Sequence, residues 1–219
     1  MSYFKDRVDA GRRLAKELSE YANRSDVLIL ALPRGGVPVA FEVAKELNVK
    51  MDVFIVRKLG VPGNEELAMG AIASNDIRVL NEDVIRSFQI PDRVIATVAA
   101  NELRELERRE RLYRADRPKP EISGSTVILI DDGLATGATM RAAAAALKTR
   151  NPAKIVVAVP TAAPDTCEFF GKEVDEVICV TTPEPFYGVG AWYVDFRQTT
   201  DEEVIELLDK AASYQPEQQ

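Results

Sequence analysis

Five short aliphatic runs divide the chain: residues 27–32, 52–56, 127–130, 154–159 and 176–180. Each is nearly continuous in Val, Ile, Leu or Ala, which predicts strands buried on both faces of a sheet. Between them the pattern changes to a helical period. Residues 6–21 predict an amphipathic helix with Val8, Leu14, Ala15 and Leu18 on one face. Residues 37–47, 164–170 and 201–212 predict further helices, and residues 91–114 the longest, with Pro91 at a permitted early position. Gly60, Pro62, Gly63 and Gly70 predict an irregular, mobile segment over residues 57–70. Short strands are expected around the turn-like Asn75-Asp76. Strand, loop, helix and strand in this order favour parallel strands joined by right-handed crossovers. The expectation is one α/β domain over residues 1–219, a mainly parallel central sheet flanked by helices. Residues 57–120 form a flexible-loop and helical insertion in this reading, and residues 181–219 an aromatic-rich elaboration with a closing helix. Both would lie over the carboxyl ends of the strands, where open α/β sheets bind ligands.

Composition narrows the function classes. Apolar residues make up 46% of the chain, ample for a packed core. The net charge of -7 argues against general affinity for nucleic acid. The Arg-rich stretch 102–114 has Glu105/Arg109, Glu107/Arg111 and Glu110/Arg114 at helical spacing, so it reads as a solvated, salt-bridged face. No apolar run is long enough to span a bilayer, and no early segment resembles a signal peptide. Cys167 and Cys179 lack metal-ligand spacing; Cys179, within Val-Ile-Cys-Val, reads as a buried strand thiol in a reducing cytoplasm. The absence of His excludes His-based triads and His-ligated metals.

The candidate chemistry centres on residues 127–139. A buried strand ends at Asp131 and Asp132, and a loop containing Ala135, Thr136, Gly137, Ala138 and Thr139 leads into strong helix formers. Backbone N–H groups at such a loop and helix start face an anion, the helix dipole favours negative charge, and the threonines add hydroxyl donors. The two carboxylates can accept hydrogen bonds from sugar hydroxyls or hold Mg²⁺ through water. Three other readings compete: a hairpin turn, a nucleotide P-loop, and a turn that binds nothing. A helical pattern follows where a hairpin needs a strand, and Ala138 stands where a P-loop needs Lys. Arg34, Gly35 and Gly36 follow another buried strand, where glycines admit an anion to the backbone and Arg offers a planar fork. Arg57 and Lys58 follow a third strand. Phe186, Tyr187 and Trp192 lie beyond the last, placed to stack on a flat heterocycle or to pack.

Residues 127–139 resemble the 5-phosphoribosyl diphosphate (PRPP) signature of type I phosphoribosyltransferases: apolar strand, two acids, two variable residues, a small residue, then Thr-Gly-x-Thr. The resemblance implies that family's fold. It implies a Mg²⁺-dependent transfer of the 5-phosphoribosyl group from PRPP to a small-molecule nitrogen acceptor, with release of pyrophosphate. The 5-phosphate would lie on residues 135–139. Asp131 and Asp132 would meet the ribose hydroxyls, with the metal held indirectly. Pyrophosphate would meet Arg34, Gly35, Gly36, Arg57 and Lys58, and the aromatic segment would be a hood for the acceptor. Asp131, Asp132, Arg57 and Lys58 are the implied catalytic groups. Related enzymes often have a cis peptide at the position of Pro33–Arg34, and Arg57-Lys58 with Pro62-Gly63 is similar to the loop of adenine phosphoribosyltransferases. One departure matters: Ala135 stands where 6-oxopurine enzymes carry an acid for proton transfer, which counts against those acceptors. A non-catalytic PRPP or nucleotide sensor on the same fold is the alternative. A homodimer is suggested by the resemblance alone.

Overall fold

The computed structural model describes residues 3–74, 77–114 and 117–213. Helix α1 (Arg7–Glu17) is N-capped by Asp6, whose carboxylate accepts from Asp9 N at 2.8 Å. Strand β1 (Val27–Ala31), helix α2 (Gly36–Leu47) and strand β2 (Lys50–Val53) follow. The chain then leaves the main sheet for β3 (Val56–Val61), β4 (Asn64–Ala73), β5 (Ile77–Leu80), α3 (Glu82–Ser87) and α4 (Asp92–Arg114). It returns through β6 (Thr126–Ile130), α5 (Ala138–Lys148), β7 (Lys154–Thr161), α6 (Pro164–Glu173) and β8 (Glu176–Thr181). A short turn of helix at Val189–Trp192 and α7 (Asp201–Ser213) complete the described chain.

The main sheet has five strands in the order β2-β1-β6-β7-β8, all parallel. Its central strands are buried on both faces, as their unbroken apolar runs require. Ile29, Ala31, Ile128, Ile130, Val156 and Ala158 pack in the layer that includes α1, α2 and α7. Leu28, Leu30, Val127, Leu129, Val157 and Val159 join the opposite layer, with Met140 and Leu147 of α5 and Phe170 of α6.

Four expectations are corrected. Residues 57–70 are not an irregular segment: β3 and β4 pair antiparallel, with register shifts at Gly60 and Gly63 in left-handed backbone at the tip. The Gly and Pro residues mark a bulge and a turn within a hairpin, whose alternate residues Leu59, Val61 and Met69 are buried. The run at 52–56 is divided between two sheets, since β2 ends at Val53 and β3 begins at Val56. Val8 is 37% exposed, because the buried stripe of α1 begins only at Ala10 and Gly11 before continuing to Leu14 and Ala15. Cys179 is not a free thiol but is bonded to Cys167, joining β8 to α6. That bond removes the argument for a reducing compartment. The expected turn at Asn75-Asp76 lies outside the described residues.

The three helical pairs on α4 form as expected, Arg109–Glu105 at 2.7 Å and the other two at 3.7 Å. Arg114, however, is buried and reaches the main sheet, 3.3 Å from Asp52 and donating to Val53 O at 3.1 Å. It locks the end of α4 to β2. No helix among the described residues is long and apolar enough to cross a membrane.

The disulfide closes a short loop, with its cysteines 12 positions apart. Such a crosslink restricts the unfolded chain by roughly 2–3 kcal/mol. Cys167→Ser, or reduction of the native bond, should therefore lower the midpoint of urea unfolding by the equivalent amount. An unchanged midpoint would show that the bond contributes nothing.

Candidate functional site

The order of the main sheet reverses between β1 and β6, because β2 lies outside β1 while β7 and β8 lie outside β6. The connections leaving these two carboxyl ends diverge and open a crevice, the usual ligand position in such sheets. Leu32 N donates to Ile130 O at 2.9 Å, so pairing continues one residue beyond β1. The Pro33–Arg34 peptide is cis, as the resemblance implied. Gly35 and Gly36 then start α2 directly against the acid pair. A Cβ on Gly35 would collide with Asp132 Oδ2, and one on Gly36 would lie 2.9 Å from Asp131 Cα. Only a bare backbone fits there. Arg34 extends toward α7, with Nη1 3.7 Å from Asp201 Oδ1, which also accepts from the Tyr113 hydroxyl at 2.5 Å.

The acids are held differently. Asp131 Oδ1 accepts from Asp132 N at 2.8 Å. Asp132 Oδ2 receives Nε of Arg7 at 2.9 Å and Nη2 at 2.8 Å, and the Tyr193 hydroxyl donates to Asp132 O at 2.6 Å. Burial, and then the charge of Asp132, push the Asp131 carboxyl well above the ordinary carboxylate range. Burial also raises Asp132, against the opposing pull of Arg7. An apposed pair of this kind attracts hydroxyl donors and cations that relieve its repulsion.

The loop beyond leads from the acid pair into α5. Ala135, Thr136 and Thr139 are exposed, and Gly137 adopts φ +68 at the N-cap of α5. No side chain caps that helix start, which leaves its first N–H groups without a capping acceptor. Helix α6 supports the loop from beneath. Thr166 Oγ1 donates to Ala135 O at 2.6 Å, and a Cβ on Gly137 would lie 2.7 Å from Phe170 Cε2.

The remaining expected residues are placed less directly. Arg57 is engaged by Glu102 of α4 at 2.6 Å. Lys58 lines a groove of about 650 Å³ together with Ala138 and Arg141 of α5, so it borders the start of that helix. Phe186 is half-buried and Tyr187 is 80% exposed, whereas Trp192 is buried and stacks on Tyr3 at 5.8 Å. The structure therefore unites Gly35, Gly36, Asp131 and Asp132, and gathers Lys58 with Ala138.

Arg7, Thr166 and Tyr193 were not singled out from the sequence. Arg7 comes from 125 positions away to reach Asp132, and its guanidinium lies 4.1 Å from the Phe196 ring. Its one local signal is a cation in the first turn of a helix, where the dipole disfavours positive charge.

Comparison with known proteins places the chain in a family. Residues 3–191 match the family model described as "Phosphoribosyl transferase domain". A Mycobacterium tuberculosis protein named "Putative phosphoribosyl transferase" is 45% identical over 211 residues, covering 96% of this chain and 47% of that protein. The chain thus spans about half the length of the curated relatives it matches. The crystal structure of TT1426 from Thermus thermophilus is 40% identical, with a TM-score of 0.87, covering 96% of this chain and 99% of that one.

The contact of Gly35 with Asp132 yields a paired prediction. Gly35→Ala must displace the carboxylate and should destabilise the protein by about 1–3 kcal/mol in chemical unfolding. Gly171→Ala, in α6 with its nearest neighbour atom at 3.6 Å, should leave stability unchanged or raise it by up to about 1 kcal/mol. Equal midpoints for the two variants would contradict the close approach.

Proposed function

Because the chain belongs to the phosphoribosyl transferase domain family, we propose that it binds PRPP in the crevice between β1 and β6 and transfers the 5-phosphoribosyl group to a nitrogen acceptor. The observation that carries this reading is the contact of Gly35 and Gly36 with Asp131 and Asp132, immediately upstream of an uncapped helix start. A sugar bearing phosphates at both ends fits that sequence of environments. Its 5-phosphate meets the N–H groups of residues 135–139 and the Thr136 and Thr139 hydroxyls. Its ring hydroxyls donate to Asp131 and Asp132. Its pyrophosphate lies along the Gly35–Gly36 backbone beside Arg34, with Lys58 and Arg57 on the hairpin side.

In this arrangement the chain's own groups separate charge in the direction the reaction needs. The acid pair favours positive character developing on the sugar, and Arg34 and the glycine N–H groups favour the negative charge of departing pyrophosphate. Mg²⁺ fits a donor set of two hard carboxylates, because that ion keeps several waters and is held by one or two carboxylates together with substrate phosphates. Asp131 and Asp132 would hold it through water or the ribose hydroxyls, and when bound it supplies neutralisation of the pyrophosphate charge. Ala135 has no proton to transfer, so the reading disfavours 6-oxopurines as acceptors.

Calorimetry at millimolar Mg²⁺ should detect PRPP binding, and chelation of Mg²⁺ should weaken it. Asp132→Asn should reduce pyrophosphate release by at least about tenfold. A protein that binds no PRPP under these conditions does not have this function. A panel of nucleobases, small amines and phosphorylated acceptors then separates catalysis from sensing. Tight PRPP binding with no pyrophosphate release from any acceptor favours a sensor.

A further inference from the structure

Arg7 is built into the crevice more firmly than a surface cation. Its side chain is 12% exposed, and both its Nε and Nη2 fall on the same oxygen of Asp132, Oδ2. The contact fixes the orientation of the Asp132 carboxylate through Oδ2. The third guanidinium nitrogen, Nη1, donates to Arg197 O at 2.6 Å, and the plane lies over Phe196. One side chain therefore joins an acid just beyond β6 to the segment beyond Trp192. The backbone reinforces the same junction. Phe4 N donates to Trp192 O, Val194 N to Phe4 O and Asp195 N to Lys5 O, each at 2.9 Å. Arg7 opposes the dipole of its own helix, a local mismatch of about 0.3–1 kcal/mol. Locally unfavourable residues of this kind concentrate where a site requires them.

We propose that Arg7 is a positioning residue for the sugar-binding acid, fixing the direction of Asp132 and tying it to residues 193–197. The role rests on the PRPP reading above and adds a residue to it. A guanidinium suits the task because its rigid fork meets one carboxylate oxygen with two donors while the opposite edge holds a carbonyl. An ammonium keeps the charge but cannot span both groups. A neutral amide keeps neither the charge nor the reach.

The test uses the full chain with Arg7→Lys, Arg7→Gln and Phe196→Leu, and measures calorimetric affinity for PRPP and ribose 5-phosphate with Mg²⁺, and for inorganic pyrophosphate without it. Thermal unfolding of each variant is followed separately. Arg7→Gln should weaken PRPP and ribose 5-phosphate on the order of tenfold, the loss expected for one charge-assisted contact. Pyrophosphate without Mg²⁺ meets only the Gly35–Gly36 backbone and the basic groups of the proposed site, none of which Arg7 holds, and should bind unchanged. Arg7→Lys should recover part of the loss, and Phe196→Leu should show a smaller loss in the same two ligands. Equal weakening of all three ligands would mean that Arg7 only maintains the fold. Tighter binding of ribose 5-phosphate would mean that Arg7 blocks the acid, and unchanged binding would mean that it does nothing; each result overturns the proposal. If the unaltered protein binds pyrophosphate but neither sugar ligand, the PRPP reading itself fails and the role of Arg7 falls with it.

Discussion

Two glycines and two aspartates pressed together at the ends of neighbouring parallel strands set the terms for the rest of this molecule. Parallel pairing of β1 with β6 puts Leu32 beside Ile130, so whatever follows one strand must pass against whatever follows the other. At Gly35 the chain passes so close to Asp132 that a single added carbon would collide with its carboxylate. Proximity also concentrates charge. Two acids removed from bulk water repel one another, and their environment raises both from the ordinary carboxylate range. Such a pair needs donors, and the chain supplies Arg7 and the backbone N–H of Asp132.

Peripheral elements are arranged to keep that junction in shape. Helix α6 lies under residues 135–137 through Thr166 and Phe170, and the Cys167–Cys179 bond fastens the same helix to β8. The N-terminal segment crosses to the other side of the site, pairing with residues 192–195 before α1 delivers Arg7. Helix α4 looks solvated along much of its length, yet its last residue is anchored to β2 through Asp52 and Val53. The antiparallel hairpin β3–β4 brings Lys58 to the groove beside Ala138. In each case a long-range contact converts a chain excursion into part of the wall around the crevice.

Much of this is legible in local patterns. The strands at 27–31, 126–130, 154–161 and 176–181 announce themselves because burial on both faces demands unbroken apolar runs. The cradle at residues 135–139 and the Arg34-Gly35-Gly36 loop are equally local. Small residues at a strand-to-helix transition are needed there whatever the remainder of the chain does. The hairpin at 57–70 departs from its local pattern for a related reason. Gly and Pro report a turn or a bulge without reporting whether paired strands lie on either side, and pairing is a property of two segments.

Residue order alone therefore encodes the sheet strands, the acid pair and the small-residue loop at 135–139, since each is written in neighbouring residues whose spacing matches a backbone period. It takes the packed fold to establish that Cys167 meets Cys179, that Arg114 turns inward to Asp52, and that Arg7 takes hold of Asp132. Those partners are separated by 12, 62 and 125 positions, and no residue pattern at one end specifies the other. Their meeting follows from how the helices pack on the sheet, which brings distant positions within a few ångströms while leaving adjacent ones on opposite faces.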